Sequence, residues 1–300
     1  MRRASAEAKR ARYPSGAAAI QPLRFGRAGR PRVGNTAHPM SPARLTAPCL
    51  ALALSLTAAC KDVERHDAPA PKSQAAAPAA TGTPGKTGTS KITGRVLFKG
   101  PVPEAREAAP PFPECGQREP IPPVLVGEGG ALANAFVWVK EGLPLGDYPV
   151  PAEKVVLDQR HCDYSPRVFG IRAGQTLTIK NSDDVLHNVN ARGQGAGLTR
   201  GPNSFNVAMP LKGLVVERRF QEQQVTVPLV CDVHPWMRAF AGVVSHPFFA
   251  VTGKDGAFAL AGLPAGKYTL EAWHERLGKV TAEVIVGEGA SAAAELELKP

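Results

Sequence analysis

The sequence predicts an all-β protein, and three observations carry that reading. From Lys91 onward, apolar residues alternate with polar ones in short runs. The chain's 30 Gly and 29 Pro punctuate these runs, and no long stretch keeps helical spacing without a breaker. Short strands repeated at this spacing favour sandwiches or barrels over a parallel sheet flanked by helices.

The chain begins with material unlike the rest. Residues 1–39 hold nine Lys and Arg against one Glu, rich in Ala, Gly and Pro and without periodicity. They read as a mis-called or disordered leader. The formal charge of +10 is concentrated there, and from Cys60 onward 26 basic side chains face 25 acidic ones. A nucleic-acid role therefore loses its support. Residues 40–60, MSPARLTAPCLALALSLTAAC, have a short basic start, an apolar run and small residues before a cysteine. That is the layout of a secretory signal, too short for a comfortable membrane span. The ending LTAAC resembles a lipobox, with Thr57 where Leu is usual. Cys60 is then the expected site of lipidation, and cleavage to a soluble periplasmic product is the alternative. The expected location is the periplasm, at the end of a lipid anchor in a bacterial membrane.

Residues 61–90 are rich in Ala, Pro, Gly, Ser and Thr, a composition unable to bury enough apolar surface to order itself. They read as a disordered linker, able to hold the folded part about 90 Å from its anchor if extended. Residues 91–150 form a β-rich amino-terminal extension, with ITGRVLFKG and NAFVWVK as strands. Residues 151–245 form the central domain, with EKVVLD, QTLTIKN, LVVERRF and QVTVPLV as strands. Residues 246–300 form a smaller sandwich. There Lys254-Asp255-Gly256 is expected to make a hairpin turn, because Asp and Gly tolerate positive φ, and Leu263-Pro264-Ala265-Gly266 a second turn.

Five cysteines divide by position. Cys49 and Cys60 belong to the signal and Cys231 to a motif described next. Cys115 and Cys162 remain, in an exported chain where thiols oxidise in pairs. A disulfide between them is expected, with a free buried thiol at either position as the alternative.

Residues 231–240, CDVHPWMRAF, place a thiol, an imidazole and a thioether within seven residues, as C-x2-H-x2-M. All three are ligands for a soft metal. About forty residues earlier, FGIRAGQTLTIKNSDDVLHNVNA turns at Ala173-Gly174 into a strand ending at Asn181. A Ser-Asp-Asp loop then leads to His187. The bland reading makes these core residues and a satisfied turn histidine. Zinc sites rarely use Met, a dinuclear copper centre would want a second Cys in the loop, and paired H-x-H motifs are absent. Met209 is a rival thioether. Asp183 and Asp184 read as a solvated turn, and His161, His246 and His274 as ordinary surface histidines, with a second site at His161 or His274 as the alternative. No nucleophile elbow, phosphate loop or zinc-hydrolase motif occurs.

This arrangement resembles the cupredoxins, with the amicyanin-like gap between His and Met. The resemblance implies a cupredoxin-like Greek-key β-sandwich holding one type 1 copper, with His187, Cys231, His234 and Met237 as ligands. Cys231 would be the thiolate and Met237 the axial group. Asn188 is implied to tie the two ligand loops together. Pro235 stiffens the loop, and Trp236 with Phe240 forms either an apolar docking surface near His234 or loop packing. The usual glycine after Met is displaced to Gly242. GAFALAGLPAGKYTLEA resembles the carboxypeptidase regulatory-like, or prealbumin-like, sandwich, which bears on fold and little on function; ITGRVLFKGPVP resembles the first strand of such modules, which leaves open whether the amino-terminal strands pair with the carboxy-terminal ones.

Four protein ligands leave no open position for substrate, so the expected role is electron transfer to a protein redox partner, not catalysis. A copper carrier or storage protein without redox turnover is the second reading. A carbohydrate-binding or adhesion module, with a glycan on the carboxy-terminal sandwich, is the third.

Overall fold

The computed structural model describes residues 83–104, 112–116, 122–195 and 200–300. The leader, the signal segment with Cys60, and most of the linker lie outside them. The strands, in chain order, are β1 (Ser90–Phe98), β2 (Phe136–Glu141), β3 (Val155–Arg160), β4 (Asp163–Ser165), β5 (Val168–Arg172), β6 (Thr176–Asn181), β7 (His187–Ala191) and β8 (Phe205–Met209). They continue with β9 (Val215–Arg219), β10 (Gln224–Val230), β11 (Arg238–Val244), β12 (Phe249–Val251), β13 (Ala257–Leu263), β14 (Gly266–His274), β15 (Gly278–Val286) and β16 (Ser291–Leu298). The only helical turn among the described residues is a 3-10 turn at Glu128–Gly130. No helix there is long and apolar enough to cross a membrane.

Two sheets built from the middle of the chain face each other. One runs β5-β11-β10-β7-β8 and the other β4-β3-β6-β9. In β6, TLTIKN, the apolar residues fall on alternate positions, so Leu177 and Ile179 are buried. Leu157, Val189, Phe220 and Leu229 fill the same layer. Each such side chain contributes about 1.5–3 kcal/mol by leaving water.

Two further sheets run β13-β1-β16 and β12-β2-β14-β15. Their core is Ile92, Val96, Val137, Val139, Phe258, Leu260, Tyr268 and Leu270. The strands of 91–150 and those of 246–300 therefore share two sheets: β1 pairs antiparallel with β13 and parallel with β16, while β2 lies between β12 and β14. A third apolar cluster, Phe136, Trp138, Val168 and Val244, links them to the central sheets. Strand β11 is covered on both faces, which accounts for its nearly continuous burial over RAFAGVV. Gly242, where the sequence delays its glycine, lies within β11 beneath the Phe136 ring.

Two local expectations need correction. The Lys254–Gly256 turn forms, with Gly256 at φ +68° and its N–H bonded to the Gly253 carbonyl. It does not make a hairpin, because β12 pairs with β2 while β13 pairs with β1. The turn carries the chain from one sheet to the other. The linker, expected to run to Ser90, ends earlier. Gly85 N–H bonds to Asp147 O and Gly88 N–H to Gly262 O, while Ser90 already belongs to β1. Backbone pairing with the fold orders a stretch that has no apolar surface of its own to bury.

Candidate metal centre

The centre is built at one end of the central sandwich. His187 opens β7 and stands opposite Met209, the last residue of β8. Strand β10 pairs with β7 through Leu229 and Val230, so Cys231, the next residue, emerges beside it. Strand β11 returns antiparallel, Arg238 opposite Val230, and the intervening loop is closed tightly. Cys231 N–H bonds to Met237 O at 3.2 Å, Met237 N–H to His234 O at 2.9 Å, and His234 N–H to Cys231 Sγ at 3.3 Å.

Three donor atoms converge. His187 Nδ1 lies 3.0 Å from His234 Nδ1, which lies 3.7 Å from Cys231 Sγ. All three side chains are buried, and their ligand atoms lie within 4.8 Å of one another. Two nitrogens and a sulfur bound tetrahedrally to a first-row metal would be separated by about 3.3 Å (N to N) and about 3.6 Å (N to S). The site therefore has the dimensions of a metal's inner sphere, and its donor chemistry suits a soft ion. Met237 is fully buried in the cluster that contains Cys231, as is Met209.

Neighbouring groups fix this arrangement. Asn188 Oδ1 accepts the Asp232 N–H at 2.7 Å and the Cys231 thiol at 3.4 Å. Its Nδ2 donates to Asp232 and Asn206. Asn188 thus ties β7 to the Cys231 loop by both ends of its amide. Asn190, Asn206 and Arg192 also donate to Asp232. Burial opposes the charge on that carboxylate, and the asparagine amides with Arg192 outweigh burial, holding Asp232 below the usual carboxylate range.

Asp183 corrects the reading of its turn as merely solvated. Its Oδ2 is 3.0 Å from His187 Nε2, and its oxygens accept the N–H groups of His161 and Cys162, each at 2.8 Å. A carboxylate on the outer nitrogen leaves the inner Nδ1 lone pair facing the centre. Burial works against the Asp183 charge, but these N–H donors and His187 keep its proton affinity low. Burial likewise opposes ionisation of Cys231, yet the His187 ring and the N–H groups of Asn188, His234 and Val233 draw the thiol below its ordinary value. A carboxylate in a polar loop four residues before a histidine was the available signal.

Trp236 and Phe240 do not form one apolar surface. Trp236 is half-buried, its Nε1–H donating to Cys162 O at 2.9 Å. Phe240 packs against Trp273, 5.2 Å between ring centres, at the junction with the other sheets. Tryptophan's N–H must find a partner when buried, and it turns the ring inward. Phe112, which the sequence did not single out, packs edge-on against His234 at 5.3 Å and against Trp236 at 4.8 Å. Cys115, three residues later, is bonded to Cys162. His246 and His274, read from the sequence as surface histidines, are buried instead, because each imidazole has backbone partners inside the fold. His246 Nε2–H donates to Val139 O and its Nδ1 accepts the Phe248 N–H, while His274 Nδ1 accepts the Arg276 N–H.

No protein-family model matches the chain, and no curated protein matches it. Among solved structures, a Cu-containing nitrite reductase from Thermus scotoductus SA-01 matches at 18% identity and TM-score 0.27, over 36% of this chain and 26% of that one. A copper(I) amicyanin variant matches at 23% identity and TM-score 0.27, over 32% of this chain and 86% of that one. A purple cupredoxin from Nitrosopumilus maritimus matches at 24% identity and TM-score 0.23, over 30% and 99%. The chain thus spans about a quarter of the nitrite reductase.

Proposed function

We propose that this protein is an exported type 1 copper protein that carries single electrons between partner proteins. The convergence of His187 Nδ1, His234 Nδ1 and Cys231 Sγ at metal-binding separations, with Met237 on the same loop, carries this reading. Bound copper would supply one-electron chemistry. The chain's own contribution is rigidity. The β10–β11 loop is pinned by its backbone, Asn188 fixes the loop to β7, and Asp183 fixes the His187 ring. Ligands held this way cannot rearrange between oxidation states, so little reorganisation opposes transfer. Burial of both imidazoles excludes water and any competing ligand.

The signal-like segment ending at Cys60 supports export and a lipid tether in the periplasm, which would keep the domain near membrane-bound redox partners. Loading the purified protein with Cu(II) tests the function. An intense thiolate-to-copper absorption that bleaches reversibly on reduction is expected at one copper per chain. Colourless Cu(I) binding alone would favour the carrier reading. Absence of copper binding overturns both, and glycan affinity in its place would favour the adhesion reading.

A further inference from the structure

His234 lies between the inner cluster and the Cys115–Cys162 disulfide. Its Nδ1 faces His187 and Cys231, and a ring nitrogen also lies within 4.8 Å of the sulfurs of both Cys115 and Cys162. The second cluster is the outer one. Cys115 is half-buried, whereas Cys231 is 2% exposed and both histidines are fully covered. The turn bearing Cys115 is a small hydrogen-bonded unit, with the N–H groups of Cys115 and Gly116 both on Phe112 O, and it lays Phe112 over the His234 ring. The disulfide is its covalent attachment to the central sandwich.

We propose that Cys115 and Cys162, once reduced, form with His234 a second soft-metal site that receives Cu(I) and passes it inward to His187, Cys231 and Met237. The destination of the ion rests on the copper reading above; the dithiol site rests on the placement of the Cys115–Cys162 pair beside His234. Reduction follows thiol–disulfide exchange. A thiolate of a dithiol reductant attacks the sulfur of Cys115, the less buried of the two residues, the Cys115–Cys162 bond breaks, and the reductant's second thiol resolves the mixed disulfide. The reductant leaves as a disulfide, and its two protons end on Cys115 and Cys162. Cu(I) then displaces both protons and takes two thiolates and one imidazole, a trigonal set that suits its softness. Because His234 is common to both clusters, a small movement of one ring carries the ion from the outer site to the inner one.

The Cys231→Ser variant separates the two sites, since it removes the inner thiolate and leaves the outer pair. Anaerobic Cu(I) titration against a chromophoric chelator, before and after reduction with dithiothreitol and its removal, should show one more equivalent held by the reduced form. Adding Cys162→Ser should abolish that extra equivalent, and adding His234→Ala should weaken it at least tenfold. Equal copper in both redox forms overturns the proposal, as does an extra equivalent indifferent to His234→Ala, or one that appears only with loss of the far-ultraviolet β-sheet signal. Failure of the oxidised wild-type protein to bind copper would instead count against the inner site alone.

Discussion

The Nδ1 atoms of His187 and His234, 47 residues apart in sequence, stand 3.0 Å from each other in the interior of the protein. Two imidazole nitrogens this close need a proton or a cation between them. Asp183 on the far nitrogen of His187 and the thiol of Cys231 beside His234 both favour positive charge at that point. Burial opposes a charged His187, but Cys231 and Asp183 more than offset it and raise its proton affinity. The field that would hold a proton there would hold a metal.

Replacing Cys231 by Ser removes the thiolate and changes volume little. The intense visible absorption of the copper-loaded protein is expected to vanish while circular dichroism stays that of the wild type. An unchanged spectrum would take the thiolate out of the site.

Asp183→Ala leaves every inner ligand in place but frees the outer nitrogen of His187. Copper affinity should fall by about 10–100-fold, the usual effect of removing a carboxylate behind a ligating imidazole. Competition with a chelator measures it. The same substitution leaves the N–H groups of His161 and Cys162 without their acceptor, so the melting temperature should drop as well. Asp183→Asn, which keeps an acceptor, should restore part of both.

The candidate ligands could be picked out because chemistry restricts their types and one short loop carries three of them. Asp183 was not, since a carboxylate in a polar turn reads as solvent-facing until the fold brings His187 over it. Phe112 was invisible for a different reason: the Cys115–Cys162 link was expected, but that it sets Phe112 against His234 depends on where the fold places Cys162. The strand ITGRVLFKG could be read from its alternation, and its likeness to the first strand of the carboxy-terminal module left pairing between the two regions open, but not which strands flank it or in what register. Lys91 pairs with Ser291, 200 residues away, and with Ala261 on the other side. The Asp255-Gly256 turn was readable from local φ preferences, whereas its crossing between sheets depends on which strands were already paired.

That long-range pairing can be tested at Gly94, which sits opposite Phe258 on β13 and Ala294 on β16. A Cβ there would lie 1.9 Å from the Ala294 carbonyl oxygen and 2.7 Å from the Phe258 ring. Backbone cannot retreat without breaking the parallel ladder. Gly94→Ala is expected to destabilise the protein by about 3 kcal/mol, the upper range for overpacking, as read by denaturant unfolding. If stability is unchanged, β1 does not lie between β13 and β16.

Acid sensitivity should originate outside the candidate metal centre, at His246 and His274. Burial drives both pKa values down from 6.5 to about 4. In the neutral ring each Nδ1 accepts a backbone N–H, from Phe248 and Arg276 respectively, and a proton there would set donor against donor. Because the folded pKa is the lower one, the unfolded chain takes up protons first as pH falls. The stabilisation is complete above pH 6.5 and is lost progressively down to about pH 4, at about 1.4 kcal/mol per pH unit for each histidine. Denaturant midpoints measured between pH 7 and 4.5 should therefore decline. His274→Gln, which keeps a polar side chain but cannot titrate, should reduce the slope by about half. A slope unaffected by that substitution would place the acid sensitivity in the carboxylates instead.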